Sequence, residues 1–202
     1  MIDNNQNNQL IVVAGPNGSG KTTVAREIIE NQNYQYISAD DIAYELAPDN
    51  PLSARIQAGK EFFSRLETGI QGKYNLIIES TLSGKALLPK LLEYRQNHSY
   101  SVKIVYLFLS NPDMCSKRVA IRVRKGGHHV PYQDIVRRFG RSLDNFWNYY
   151  RKQCDQWNLI YNAEDDFQEV ARFENQKNYV FDESLFVTFQ EMVNQYGQAK
   201  QS

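Results

Sequence analysis

The sequence predicts an α/β fold whose mostly parallel sheet carries helices on both faces, and three observations lead to it. Residues 10–14, 76–78 and 102–109 are short, continuous apolar runs rich in β-branched side chains, the character of strands buried on both faces. Segments of helical period separate them, an alternation that calls for parallel strands joined by right-handed crossovers. The first run leads at once into Gly15-Pro16-Asn17-Gly18-Ser19-Gly20-Lys21-Thr22, which fits G-x-x-x-x-G-K-[ST] at every fixed position. Strand, glycine-rich turn and helix in that order make this the P-loop NTPase type of sheet, with a helical lid expected over its nucleotide site.

The spacing has a chemical reason. Glycines at 15, 18 and 20 permit positive φ and close backbone approach, so successive N–H groups turn inward around phosphate oxygens while the next helix offers its positive end. Gly15, Asn17, Gly18, Ser19, Gly20, Lys21, Thr22 and Thr23 are therefore the expected nucleotide-binding residues. Lys21 would reach the β- and γ-phosphates and the Thr22 hydroxyl would ligate Mg²⁺.

At 202 residues the chain is expected to hold one domain: a tail at 1–9, a P-loop domain at 10–162 and an extension at 163–202 packed on it. Its 23 basic and 23 acidic side chains cancel, which argues against a general nucleic-acid or membrane-surface binder. Cys115 and Cys154 have neither metal-ligand spacing nor the look of a disulfide framework, as suits a reducing cytoplasm. The first nine residues are polar and rich in Asn and Gln, unlike a signal peptide. No apolar run approaches the ~18 residues that span a bilayer.

The remaining elements follow in order. Lys21 opens a helix with Val24, Ile28 and Ile29 on one face, and residues 34–38 form a second strand. Ala39-Asp40-Asp41 begins a short helix that the Pro48 to Pro51 cluster ends, with Asp41 as the expected cap. Leu52, Ile56, Phe63, Leu66 and Ile70 predict an amphipathic helix up to Gly69 or Gly72, and Glu79 stands at the end of the third strand. A helix over residues 86–96 either starts at Pro89 or is kinked by it. Asn111-Pro112 caps and opens a helix that reaches about Lys125. Gly126-Gly127 stops it, and the following helix buries Ile135, Val136, Phe139, Leu143, Phe146 and Tyr150. Residues 157–161 are a fifth strand and 164–166 a solvated turn, while 179–181 read as a strand and 183–195 as a helix.

Phosphoryl transfer asks for positioning and positive charge. Arg118, Arg122 and Lys125 share one helix face, and Arg138, Arg141 and Asn145 share a face opposite Phe139, Leu143 and Phe146. Gly126-Gly127 between the two helices is a hinge of the kind a closing lid requires. His128 and His129 have no Cys or Asp partner nearby and read as loop polar groups. Glu79 is placed to hold Mg²⁺ through water or to bind a substrate hydroxyl.

Four stretches together resemble the zeta-toxin family of small-molecule kinases: the P-loop, Ser38 to Ala43, Ile77 to Gly84, and Gly126-Gly127-His128 with Val130-Pro131 and Arg137-Arg138-Phe139. The resemblance runs from Leu10 to about Trp157 and is closest to a compact branch of the family. It implies transfer of the ATP γ-phosphate to the 3′-hydroxyl of UDP-N-acetylglucosamine, which poisons cell-wall synthesis, and an antitoxin partner that blocks the nucleotide site. It further implies that ATP, or GTP in its place, binds with Mg²⁺, that Lys21 and Thr22 serve the phosphates and metal, and that Asp40 is the general base. Glu79 and Thr81 match substrate-binding positions. The two phosphate-binding arginines map to Arg122 or Arg124 and to Arg137 or Arg138, with Arg122 and Arg138 taken as the catalytic pair. Beside this small-molecule kinase stand two other readings: a kinase of another metabolite or of a nucleic-acid end, and a nucleotide-gated binding protein. Asp40 and the lid arginines favour an enzyme, because a switch needs no base.

Overall fold

The computed structural model describes residues 8–31, 33–127, 130–163 and 166–198. Seven strands form one sheet: β1 (Gln9–Ala14), β2 (Gln35–Ile37), β3 (Leu76–Ser80), β4 (Ser101–Phe108), β5 (Gln156–Ala163), β6 (Asp166–Glu174) and β7 (Lys177–Val180), in the order β2-β3-β1-β4-β5-β6-β7. The first five are parallel, as expected from their crossovers, and β5, β6 and β7 pair antiparallel. β1 thus lies between β3 and β4, and the chain leaves it toward opposite edges. That switch opens a crevice at the carboxyl end of β1.

Alternation along β1 divides the core. Leu10, Val12 and Ala14 point into a large cluster on one face, while Ile11 and Val13 point into a smaller one on the other. The smaller cluster is covered by α1 (Lys21–Asn31) through Val24 and Ala25, with Ile28 and Ile29 packed beside them. The larger receives α2 (Ala39–Leu46), α3 (Arg55–Gln71), α4 (Leu87–Asn97), α5 (Pro112–Arg124), α6 (Tyr132–Asn148) and α7 (Glu183–Gln198). A 3₁₀ turn at Tyr150–Lys152 follows α6 and buries Tyr150 completely.

Several local expectations are resolved. Asn111 caps α5 by accepting from the Met114 N–H at 2.9 Å, with Pro112 next in the chain. Pro89 is the third residue of α4, where its missing N–H is one that the first turn leaves unpaired anyway, so it belongs to the helix start. In α3 the apolar stripe differs from the expected one: Ala58, Phe62, Leu66 and Ile70 are buried, whereas Ile56 is 80% exposed and Leu52 51%. The i, i+4 ladder from Ala58 meets the sheet, and Leu52 precedes the helix. Asn145 also departs from its expected wet face. It is 2% exposed and donates to the Leu82 carbonyl at 2.7 Å.

The strand β6 was not foreseen, because residue 166 was read as turn. A bulge between Leu159 and Ile160 places Val170 and Ala171 both in the core, which breaks the period of two that would have announced a strand. Asn175 and Gln176, with φ of 51° and 61°, then make a two-residue hairpin into β7. The residues at 164 and 165 in the predicted turn lie outside the described residues. At the other end, β1 begins with Gln9, the last residue of the expected tail. Aromatic packing binds the C-terminal part: Trp147 of α6 contacts Trp157, Phe186 and Phe189 edge-on, with centroids 6.1, 5.7 and 5.5 Å apart.

Both thiols are buried, and burial pushes Cys115 and Cys154 each up to about 12. A thiol reagent at neutral pH is expected to leave the native protein untouched and to label both cysteines once denaturant unfolds it. Rapid labelling of native protein would contradict that packing.

Candidate active site

Three glycines hold the P-loop against its surroundings so closely that no other residue fits. Gly15, Gly18 and Gly20 have φ of 139°, 77° and 94°. A Cβ at Gly15 would stand 2.1 Å from the Leu107 carbonyl oxygen, at Gly18 2.7 Å from that of Cys115, and at Gly20 2.6 Å from Asn162 Nδ2. Gly15→Ala should therefore cost about 3 kcal/mol or more in folding free energy, from combined backbone strain and overpacking. Chemical denaturation showing wild-type stability would refute the contact. Ser19 N–H donates to the Pro16 carbonyl at 3.3 Å, closing the loop, and α1 has no acidic residue in its first turn to oppose an incoming phosphate.

Lys21 Nζ donates to the Pro16 carbonyl at 3.0 Å across the loop. Burial lowers its proton affinity, and the charges of Glu79 and Asp40 work against that loss. The next residue reaches the carboxylate at the end of β3: Thr22 Oγ1 donates to Glu79 Oε2 at 3.1 Å. The Tyr36 hydroxyl donates to the other carboxylate oxygen, so Glu79 is fixed from both sides. Burial, then Glu79 itself, hold the Tyr36 hydroxyl well above the ordinary phenol range, so it remains a donor. A hydroxyl and an oriented carboxylate at this distance are the hard oxygen donors that Mg²⁺ takes, with phosphate oxygens and water completing the set. The residues present fit the ion.

Asp40 lies one position inside α2 and lines the cleft, within electrostatic reach of Lys21. The cap of α2 is Ser38, whose Oγ accepts from the Asp41 N–H at 3.4 Å. Asp41 therefore sits in the first turn and is not the cap expected from its sequence position. Both aspartates lie where the helix dipole favours them.

The loop after β3 is rigidly built. Leu82 has φ of 50°, Thr81 and Ser83 hydroxyls are 2.9 Å apart, and Asn145 and Tyr150 donate to the carbonyls of Leu82 and Gly84 at 2.7 and 2.8 Å. Thr81 thereby faces the cleft on a frame supplied by α6 and the turn after it.

Of the candidate arginines, Arg118, Arg122, Arg137, Arg138 and Arg141 line the cleft, and Arg124 is not part of its lining. Arg122 is within electrostatic reach of Lys21. Arg137 is tied to Asp134 at 2.7 Å with its side chain 53% exposed, whereas Arg138 is 19% exposed and 3.9 Å from the same carboxylate. Burial lowers the proton affinity of Arg138, and Arg55 adds to that by repulsion. Gly126 has φ of 90°, and its carbonyl accepts from the Tyr44 hydroxyl at 3.1 Å, which joins α2 to the turn between α5 and α6. His128 and His129 lie outside the described residues.

Sequence reasoning missed four contributors. Tyr36 orients Glu79; Arg55 lines the cleft from α3; Asn162 donates to the Ser19 carbonyl at 2.9 Å; and Phe167 packs against Gly20. Arg118 donates to the Asn162 carbonyl at 3.3 Å, so the end of β5 and the start of β6 form one wall of the P-loop. Asn162 carried a faint signal as a polar residue ending an apolar strand. Phe167 carried none, since its strand was unseen.

The whole arrangement encloses a cleft of about 1500 Å³ at the carboxyl ends of the strands. Its P-loop, oriented carboxylate and basic helices define a P-loop domain of the kinase type. The chain belongs to the AAA domain family, which matches residues 10–139. An uncharacterised protein of Haemophilus influenzae is 32% identical over 130 residues, 64% of this chain and 91% of its own. A cytidylate kinase of Halobacterium salinarum is 33% identical over 84 residues, covering 37% of this chain and 44% of the enzyme. Among solved structures, the AvrRxo1-ORF1:AvrRxo1-ORF2 complex superposes with a TM-score of 0.72 at 15% identity, over 93% of this chain and 64% of that one. The same complex has been solved with ATP. The PezAT chromosomal toxin–antitoxin system of Streptococcus pneumoniae gives a TM-score of 0.60 at 15% identity, over 94% and 87%. The resemblance to the zeta-toxin kinases thus holds at the level of fold. No helix among the described residues is long and apolar enough to cross a membrane.

Proposed function

We propose that the protein transfers the γ-phosphoryl group of ATP to a hydroxyl of a small molecule. The observation that carries this reading is the convergence of Asp40 and Lys21 in one cleft, with the carboxylate close enough for its charge to act on the Lys21 ammonium. The P-loop N–H groups and Lys21 hold the β- and γ-phosphates. Bound Mg²⁺ would neutralise charge between those phosphates, held by Thr22 directly and by Glu79 through water. Asp40 orients the acceptor hydroxyl and takes its proton as the acceptor oxygen bonds to the γ-phosphorus and the bond to the β-phosphate oxygen breaks, releasing ADP. Arg122 and Arg138 supply positive charge to the transferring group.

Residues 10–162 would form the kinase domain, with 163–202 an extension that adds Phe167 to the nucleotide side. UDP-N-acetylglucosamine is the first acceptor to test, with Thr81 among its contacts, and the protein would act in the cytoplasm as the toxin of a toxin–antitoxin pair. The fold shared with the PezAT structure supports that setting. Incubation of the protein with ATP and UDP-N-acetylglucosamine, followed by mass spectrometry, is expected to yield ADP and a sugar nucleotide heavier by one phosphoryl group. ATP turnover without any phosphorylated small molecule, in this mixture or in a metabolite extract, would refute the proposal.

The lid arginines give a graded prediction. Arg122→Ala and Arg138→Ala should each slow transfer ~10²-fold or more, while Arg141→Ala has a smaller effect and Arg124→Ala almost none. Equal, small losses in single-turnover assays of all four would mean that these arginines only solvate the surface.

A further inference from the structure

One face of α3 carries Arg55, Gly59, Phe62 and Phe63 at i, i+4, i+7 and i+8, and all four line the cleft. Phe62 is rooted in the core, and Phe63 stands half-buried with its ring 5.3 Å from that of Phe62, edge to face. Between the arginine and the aromatic ring, Gly59 leaves the helix backbone bare: a Cβ there would meet nothing within 4 Å. The helical rise sets Arg55 and Phe63 roughly 12 Å apart along the axis, the span of a small ring-bearing molecule. No positive φ demands a glycine at 59, and in mid-helix the residue costs stability relative to alanine. The open floor is what distinguishes the position.

Charge points the same way. Among the described residues the cleft is lined by nine basic side chains against three acidic ones, Asp40, Glu79 and Asp134, in a chain whose formal net charge is zero. Lys21 belongs to the P-loop and Arg118 and Arg122 come from α5, but Arg55 comes from α3, and no carboxylate pairs with it among the described residues. Its electrostatic neighbour is another cation, Arg138. Arg138 has the Asp134 carboxylate 3.9 Å away, so Arg55 is the guanidinium left to meet an incoming anionic group.

We propose that the acceptor is a small ring-bearing anion, its phosphate or carboxylate group bound by Arg55 and its flat, apolar part lying over Gly59 against Phe63. This rests on the phosphotransferase reading above and assigns the acceptor's binding wall. Arg55 forms charge-assisted hydrogen bonds to the anionic group, Gly59 admits the ring to the helix backbone, and Phe63 packs on its edge.

The test uses [γ-³²P]ATP and a protein-free bacterial small-molecule extract split by anion exchange into retained and flow-through fractions. Label is expected in molecules of the retained fraction. For Arg55→Ala the amount of that fraction needed for half-maximal labelling should rise ~10-fold or more, with Arg55→Lys intermediate, while half-saturation by ATP moves less than a few-fold. Gly59→Leu should raise the acceptor requirement in the same way by filling the floor. Thermal unfolding of Gly59→Ala and Gly59→Leu at or above the wild-type midpoint establishes that the helix accepts a side chain there, so that lost labelling is lost binding. Label confined to the flow-through fraction would overturn the anion site and leave the kinase standing, as would wild-type acceptor dependence in Arg55→Ala and Gly59→Leu. Mg-ATP binding with label in neither fraction would overturn the phosphotransferase reading, and this wall with it.

Discussion

Lys21→Ala is expected to reduce phosphoryl transfer by at least ~10³-fold while leaving the fold intact. The amine sits in the curve of the P-loop, 3.0 Å from the Pro16 carbonyl, and needs only to swing from that oxygen to a phosphate oxygen. Burial strengthens the effect of its charge, because water screens it less there. No other lysine lies within the loop. The truncation removes one hydrogen bond to a carbonyl and should not disturb the glycine contacts that shape the turn. Circular dichroism and thermal unfolding close to wild type, together with lost transfer, are the expected pair of results. Turnover near the wild-type rate would mean that the P-loop is not where the chemistry happens.

Asp40→Asn is expected to lower turnover ~10²-fold or more with ATP affinity within a few-fold of wild type. The amide keeps the size of the carboxylate but cannot take the acceptor's proton. Asp41→Asn supplies the control. Its N–H donates to Ser38 Oγ whatever its side chain, so the cap survives the change. Asp41 is also absent from the cleft lining among the described residues, whereas Asp40 is part of it. Single-turnover kinetics with the reverse order, Asp41→Asn inactive and Asp40→Asn nearly normal, would remove Asp40 from the base position.

The identity of the α2 cap illustrates how local signals compete. Ser38, Asp40 and Asp41 are all capping types, and proximity to the apolar run Ile42-Ala43 favoured Asp41. What decided for Ser38 was where β2 ends. Ile37 is the last residue paired with β3, at Ile78, so the chain turns one residue later and Ser38 is left extended with φ of −129°. Strand pairing is a long-range fact, invisible in a window of a few residues. The same holds for Arg122 against Arg124. Two positions apart on one helix, they point about 200° apart, and only the packing of Cys115 and Val119 into the core fixes which of them meets the cleft.

The sequence by itself determined the parallel sheet, the P-loop and its junction with α1, and the start of α5, because each depends on contiguous residues. Buried parallel strands need unbroken apolar runs, phosphate loops need glycines at fixed spacing, and a cap with proline next to it specifies its own geometry. Only the tertiary structure decided that Tyr36 and Thr22 hold the two carboxylate oxygens of Glu79, that Asn162 and Phe167 wall the P-loop, and that Arg55 and Arg138 line one cleft. These pairs are separated by dozens of residues in the chain, and no local period or propensity encodes such a meeting. It arises when β3 pairs beside β1, β6 pairs antiparallel with β5, and helices from distant segments close around the carboxyl ends of the strands.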